Sequence, residues 1–189
     1  MTLFTDNDET AWKKALSGYA AAVRARGVSR LEELDLWYQG ELPGLLRSRT
    51  PMHVELPELV HVTEWKMKRG TYRARNLMLV KGNDPELVKK TSVNAFALRP
   101  DARKPITILT ALAGVGPATA SAVLAAVNPE IYPFFDDVIA EAIPGLGKVA
   151  FTPAYYARYQ ERLRERAKTL PGTWNANLVG MALWSAHSE

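Results

Sequence analysis

Two stretches of the chain combine residue types that could do chemistry. In the first, Tyr132-Pro133-Phe134-Phe135 makes a stiff aromatic loop that runs into the paired carboxylates Asp136-Asp137. In the second, Lys66, Lys68, Arg69, Arg73 and Arg75 fall within residues 66–75, which contain no acid, and Trp65 and Tyr72 are interleaved with them. A carboxylate held by a stiff loop can stabilise a developing positive charge and orient or deprotonate water. A basic run mixed with aromatics suits a nucleic-acid backbone and a displaced base. Plainer readings stand beside both: one aspartate can cap the helix from Val138 to Ile143, and Trp65 can be a core anchor with the charges at surface helix ends. Asp136 is the preferred functional carboxylate, and Asp137 the cap or solvated residue.

Other chemistries find little footing. His53, His61 and His187 have neither the spacing nor the acidic neighbours of a metal site. No Gly-x-Ser-x-Gly, Walker or His-Glu-x-x-His pattern is present, and the Gly145-Leu146-Gly147 turn follows nothing that reads as a strand. With no cysteine the chain cannot carry a thiolate-bound iron–sulfur cluster, and a disulfide framework is excluded.

The elements that must position the carboxylate lie from Ile106 to Ile139. Ile106, Leu109 and Leu112 recur at helical spacing up to Gly114-Val115-Gly116, and an Ala-rich helical run with Val123, Leu124 and Val127 follows from Pro117. The spacing predicts two helices around a glycine turn in which Gly114 and Gly116 both take positive φ and Val115 points into the core. Pro117 suits a first helical position, and the free N–H groups beyond it suit a phosphate.

The segment LAGVGPATASAVLAAVNPEIYPFFDD resembles the signature of the helix-hairpin-helix DNA glycosylases, the superfamily of endonuclease III and the adenine and alkylpurine glycosylases. That signature is an L-x-G-V-G hairpin, a helix, a Pro-containing loop and an aspartate. Ala118 matches the position of the Schiff-base lysine in bifunctional members, and from there to Asp136 is 18 residues, as in the family. The resemblance implies a monofunctional N-glycosylase of base excision repair that uses Asp136 and water and leaves an abasic site. It implies phosphate binding by Gly114, Val115, Gly116, Ala118 and Thr119, with the backbone carbonyls of Leu112 and Gly114 holding a monovalent cation and no other cofactor. Lys66, Lys68, Arg69 and Arg73 are the further DNA-binding candidates, and Trp65, Tyr72, Tyr132 and Phe135 the base-pocket walls. The alternative is a noncatalytic DNA-binding or lesion-sensing protein that kept the hairpin and lost the chemistry.

The remaining chain supports an all-α fold, since no strand alternation longer than a few residues occurs. Helix starts are expected at Asp6, Ser29, Pro57, Asp84-Pro85, Thr152-Pro153 and Thr173, with Leu87, Val88, Val93, Phe96 and Leu98 buried on the fourth of these helices. The resemblance implies two helical lobes, 29–127 ending in the hairpin, and 1–28 with 128–189. At 189 residues and 47% hydrophobic the chain can bury a proper core. Its net charge of +4 is uneven: residues 47–104 hold 13 Lys and Arg against 6 Asp and Glu. Such a face suits double-stranded DNA. The acidic start and the lack of a membrane-length apolar run fit a monomeric cytoplasmic protein, at the nucleoid or in the nucleus, without a membrane partner.

Overall fold

A computed structural model describes residues 2–187, and among them every regular element is helical. A short 3₁₀ turn leads to α1 (Glu9–Ser17) and α2 (Tyr19–Ala25). Next come α3 (Leu31–Leu36), a π-helical turn over Trp37–Glu41, and α4 (Leu42–Arg47). The middle holds α5 (Leu56–Arg69), α6 (Ala74–Lys81), α7 (Pro85–Ala97), α8 (Lys104–Leu109) and α9 (Pro117–Val127). The chain closes with α10 (Asp137–Glu141), α11 (Pro153–Thr169) and α12 (Ala176–His187). No helix among the described residues is long and apolar enough to cross a membrane.

Local chemistry sets the helix starts, in three places one or two residues from the expected position. Asp84 and Thr152 cap α7 and α11 as expected. Asp8, not Asp6, caps α1, because the Asp6 carboxylate is spent on the Asp8 N–H in a local turn. Arg30 in the left-handed region, rather than Ser29, precedes α3. Asn175, not Thr173, takes the Leu178 N–H at the start of α12. Glu55 and Glu58 form a reciprocal capping box at α5, and Arg49 clamps Glu58 with two bonds of 2.6 and 2.7 Å. On α7, Val88 and Phe96 are buried, whereas Leu87 and Leu98 are exposed and Val93 is intermediate.

Two groups of packings build the molecule. Helix α9 is buried over Ala118–Val127 and packs against α4, α5 and α8. Its seven small residues let these neighbours approach, and a helix apolar on all sides belongs in a core. Around it α5 packs on α3 and α6, and α7 on α8. The two chain ends meet separately: α12 packs against α1, α2, α10 and α11.

The 110–116 turn between α8 and α9 is held from the side. Asn83, just after α6, accepts the Ala113 N–H at 2.9 Å and donates to the Ala113 carbonyl at 2.9 Å. Gly114 has φ +76°, and a Cβ on it would lie 2.4 Å from the Asn76 carbonyl oxygen. Gly116 departs from expectation: its φ is −99° and a Cβ there meets open space. The glycine requirement therefore belongs to Gly114 alone and comes from α6. Left-handed strain and overpacking together make Gly114→Ala destabilising by about 2–5 kcal/mol, whereas Gly116→Ala stays within about 0.5 kcal/mol, as urea titrations would show.

Candidate active site

The loop that carries Asp136 is fixed by side chains bonding its backbone. From α11, Gln160 donates to the Ile131 carbonyl (2.8 Å), Tyr156 to Pro133 (3.0 Å) and Tyr159 to Phe134 (2.7 Å). The Phe134 N–H donates to Asn177 and the Phe135 N–H to the Ser121 hydroxyl on α9 (2.8 Å). Buried backbone groups need such partners, and side chains of α11, α9 and α12 supply them. Burial pushes the Tyr156 and Tyr159 hydroxyls well above their usual range, so they act as donors.

Asp136 then does two jobs with two oxygens. Oδ1 accepts the Val138 N–H at 2.9 Å and caps α10, which Asp137 also does at 3.0 Å. Oδ2 lies 3.5 Å from Nη2 of Arg69, and Asp136 is only 8% exposed. Burial raises its pKa above the ordinary carboxylate value, against the lowering effect of Arg69.

Arg69 itself is internal, which corrects its place among the surface DNA contacts. It is 5% exposed and lies between Asp136 and Asp35, the latter 3.9 Å away. Asp35 also accepts the Tyr19 hydroxyl (2.7 Å) and the Trp65 indole N–H (2.8 Å), and the Tyr19 oxygen accepts from Arg69. The guanidinium packs 4.1 Å from the Trp184 ring centre and 5.1 Å from that of Trp65. A charge this deep persists because two acids and aromatic faces replace its water.

A cleft of about 70 Å³ opens beside this network. Asp136, Asp137, Phe134 and Phe135 line it, with Ala118 from the start of α9 and Lys66, Gly70, Thr71 and Arg73 from the end of α5 and the segment after it. Phe151, 49% exposed and 5.0 Å from Phe135 between ring centres, completes the wall. The amine of Lys66 has a lowered pKa, first through burial and then through Arg73, with Asp137 and Asp136 acting the other way. One buried carboxylate in a mouth with two cations can hold a cationic reaction centre while its neighbours bind phosphate.

The structure brings together Ala118, Asp136, Phe135, Lys66 and Arg73 and leaves other expected residues outside the cleft. Trp65 is a core residue stacked 3.7 Å on Tyr38, and Tyr132 is fully buried with its hydroxyl on the Asp101 carbonyl. Neither is a cleft wall, because each spends its polar atom and its faces inside the core. Tyr72 is 57% exposed and lies outside the lining. Lys68 donates to the Ser29 carbonyl at 2.7 Å, and Arg73 is exposed. In the turn, Val115 and Thr119 are buried and Gly114 and Gly116 half-buried. The Leu112 carbonyl accepts the Val115 N–H at 3.1 Å, which leaves one lone pair for a cation. Asp35, Asn83 and Phe151 have no motif in the sequence; Asp35 shows itself only through its place on the Leu31–Leu34–Tyr38 face of its helix.

Comparison of the chain with protein-family models, with curated proteins and with solved structures gives no match. The site therefore stands on its own geometry. Arg69→Met removes the cation and leaves Asp35 and Asp136 buried without it. The expected cost is about 3–5 kcal/mol, or roughly 6–20 °C in Tm by scanning calorimetry.

Proposed function

We propose that the protein binds double-stranded DNA and acts as a monofunctional N-glycosylase, removing a damaged or mispaired base with Asp136 and water. The observation that carries this reading is the cleft lined together by Asp136, the first turn of α9, Lys66 and Arg73. On this reading α8, the 110–116 turn and α9 form a helix-hairpin-helix unit. The separate packing of the chain ends around α12 favours lobes of 29–127 and of 1–28 with 128–189.

A base inside a duplex must leave the stack before its glycosidic bond can be reached. The exposed Arg73 and the N–H groups at the start of α9 grip phosphates on either side. The carbonyls of Leu112 and Gly114 would hold a monovalent cation, which supplies positive charge to the same phosphates. As the glycosidic bond breaks, the sugar becomes cationic, and the Asp136 carboxylate stabilises it and orients water. Because Asp136 is already capped and paired, it needs no reorganisation as the charge develops.

A second reading rests on the same aspartate. Its two bonds, to Val138 and Arg69, are sufficient structural reason for a carboxylate at this position, and a noncatalytic DNA-binding protein would keep them.

Single-turnover incubation with duplexes carrying uracil, 8-oxoguanine, alkylpurines, hypoxanthine or mismatches separates the two. The glycosylase reading expects release of free base from at least one duplex and a loss of roughly 10²–10³-fold in Asp136→Asn. Activity needs the carboxylate ionised, and its pKa lies above 3.8, so activity falls on acidification at higher pH than an ordinary aspartate would impose. Salt-sensitive binding without base release from any duplex, unaffected by the mutation, would establish the noncatalytic reading.

A further inference from the structure

Helix α11 carries four arginines and a lysine, and they divide by what they touch. Arg158 lies over the Tyr155 ring at 5.2 Å and Arg162 over the Phe4 ring at 5.5 Å. Arg166 lies over Trp12 and donates to Asn7 (2.9 Å) and to the Asp6 carbonyl. Those three are spent on the protein itself. Arg164 and Lys168 are not: among the described residues neither side chain has a hydrogen bond, a salt bridge or a ring beneath it. They lie one helical turn apart on one face, about 6 Å along the axis, where like charges repel.

Both cations line a cleft of about 530 Å³, within the size range of small-molecule sites. Ile131, Ala167 and Ala176 give it apolar surface, and Trp174, half-buried and packed against Trp12 at 5.8 Å, borders it. Glu130 is the acid of its lining. The three segments that meet here are tied to one another. Gln160 of α11 donates to the Ile131 carbonyl at 2.8 Å, and the Asn177 N–H of α12 donates to the Pro129 carbonyl at 3.3 Å. The cleft is therefore formed before any ligand arrives, and it shares no lining residue with the Asp136 cleft.

Two unpaired cations beside an indole and aliphatic surface match a molecule that carries both a phosphate and a flat ring. We propose that this cleft binds a nucleoside 5′-monophosphate, with the phosphate between Arg164 and Lys168 and the base against Trp174 and Ile131. The Glu130 carboxylate then offers an acceptor for sugar hydroxyls. The inference is independent of the base-excision reading, because it uses none of the residues assigned to that reaction. A free nucleotide and the 5′-phosphorylated end of a DNA strand present the same chemistry, and the test separates them.

The test titrates the full nitrogen-15-labelled chain with AMP, adenosine, inorganic phosphate and a 5′-phosphorylated tetradeoxynucleotide, and follows the amide shifts. AMP should bind with a Kd of roughly 1 mM or tighter and move the amides of Arg164, Lys168 and Trp174. Adenosine and phosphate should each bind at least ~10-fold more weakly, because each meets only part of the site. Replacing both cations, Arg164→Gln with Lys168→Gln, should weaken AMP by ~10-fold or more and leave adenosine unchanged, with the fold checked by thermal melting. A tetranucleotide that moves the same amides at lower concentration than AMP assigns the cleft to a strand end, and one that needs a higher concentration assigns it to the free nucleotide; either upholds the site. Phosphate binding as tightly as AMP, AMP shifts centred on Lys66, Arg73 and Ala118, an AMP affinity untouched by the double substitution, or no saturable AMP shift would overturn the proposal.

Discussion

Everything near the cleft depends on one buried cation. Arg69 comes from the last turn of α5, and its partners come from four other places: Tyr19 on α2, Asp35 on α3, Asp136 before α10 and Trp184 on α12. A guanidinium cannot release its proton to lessen its burial cost, so these partners must be in position for the chain to fold at all. The requirement ties the central helices to the two chain ends. It also fixes the carboxylate, because Asp136 cannot turn toward solvent without leaving Arg69 underpaired.

The loop around Asp136 repeats the principle with neutral groups. Gln160, Tyr156 and Tyr159 cover the carbonyls of Ile131, Pro133 and Phe134, and Asn177 and Ser121 receive the N–H groups of Phe134 and Phe135. A carboxylate held from both sides is suited to electrostatic stabilisation, where the benefit comes from dipoles that need not move. The cleft adds two cations, Lys66 and Arg73, to the lining that holds Asp136. That arrangement separates the two tasks the proposed reaction needs: gripping phosphates and holding a cationic sugar.

Much of this was legible residue by residue, and the gaps have physical causes. Pro85 after Asp84 and Pro153 after Thr152 announce helix starts because capping and a fixed φ are local properties. The all-α character and the two helices flanking the 110–116 turn follow from periodicity. Asp136 and Ala118 line one cleft, brought there by the loop that follows α9. Arg69 belongs to the basic run by composition but to the core by helical phase: it lies four residues after Trp65 and seven after Val62, on the buried face of α5. Its partner Asp136 is 67 residues away, and such a pairing leaves no local mark. Gly116 looked like Gly114 because a dipeptide spacing does not reveal which glycine another helix will approach. Asp35, Asn83 and Phe151 matter through neighbours that only the folded chain supplies.

The central claim is that Asp136 meets positive charge on the sugar, and the most direct measurement compares affinity for two duplexes that differ only at one nucleotide. One carries a pyrrolidine ring, protonated where the reacting sugar becomes cationic; the other carries the neutral tetrahydrofuran ring of the same shape. The account expects wild type to prefer the pyrrolidine duplex at least ~100-fold, the lower end of transition-state discrimination, and expects Asp136→Asn to lose that preference while still binding tetrahydrofuran DNA. Equal affinity of wild type for the two duplexes would contradict it.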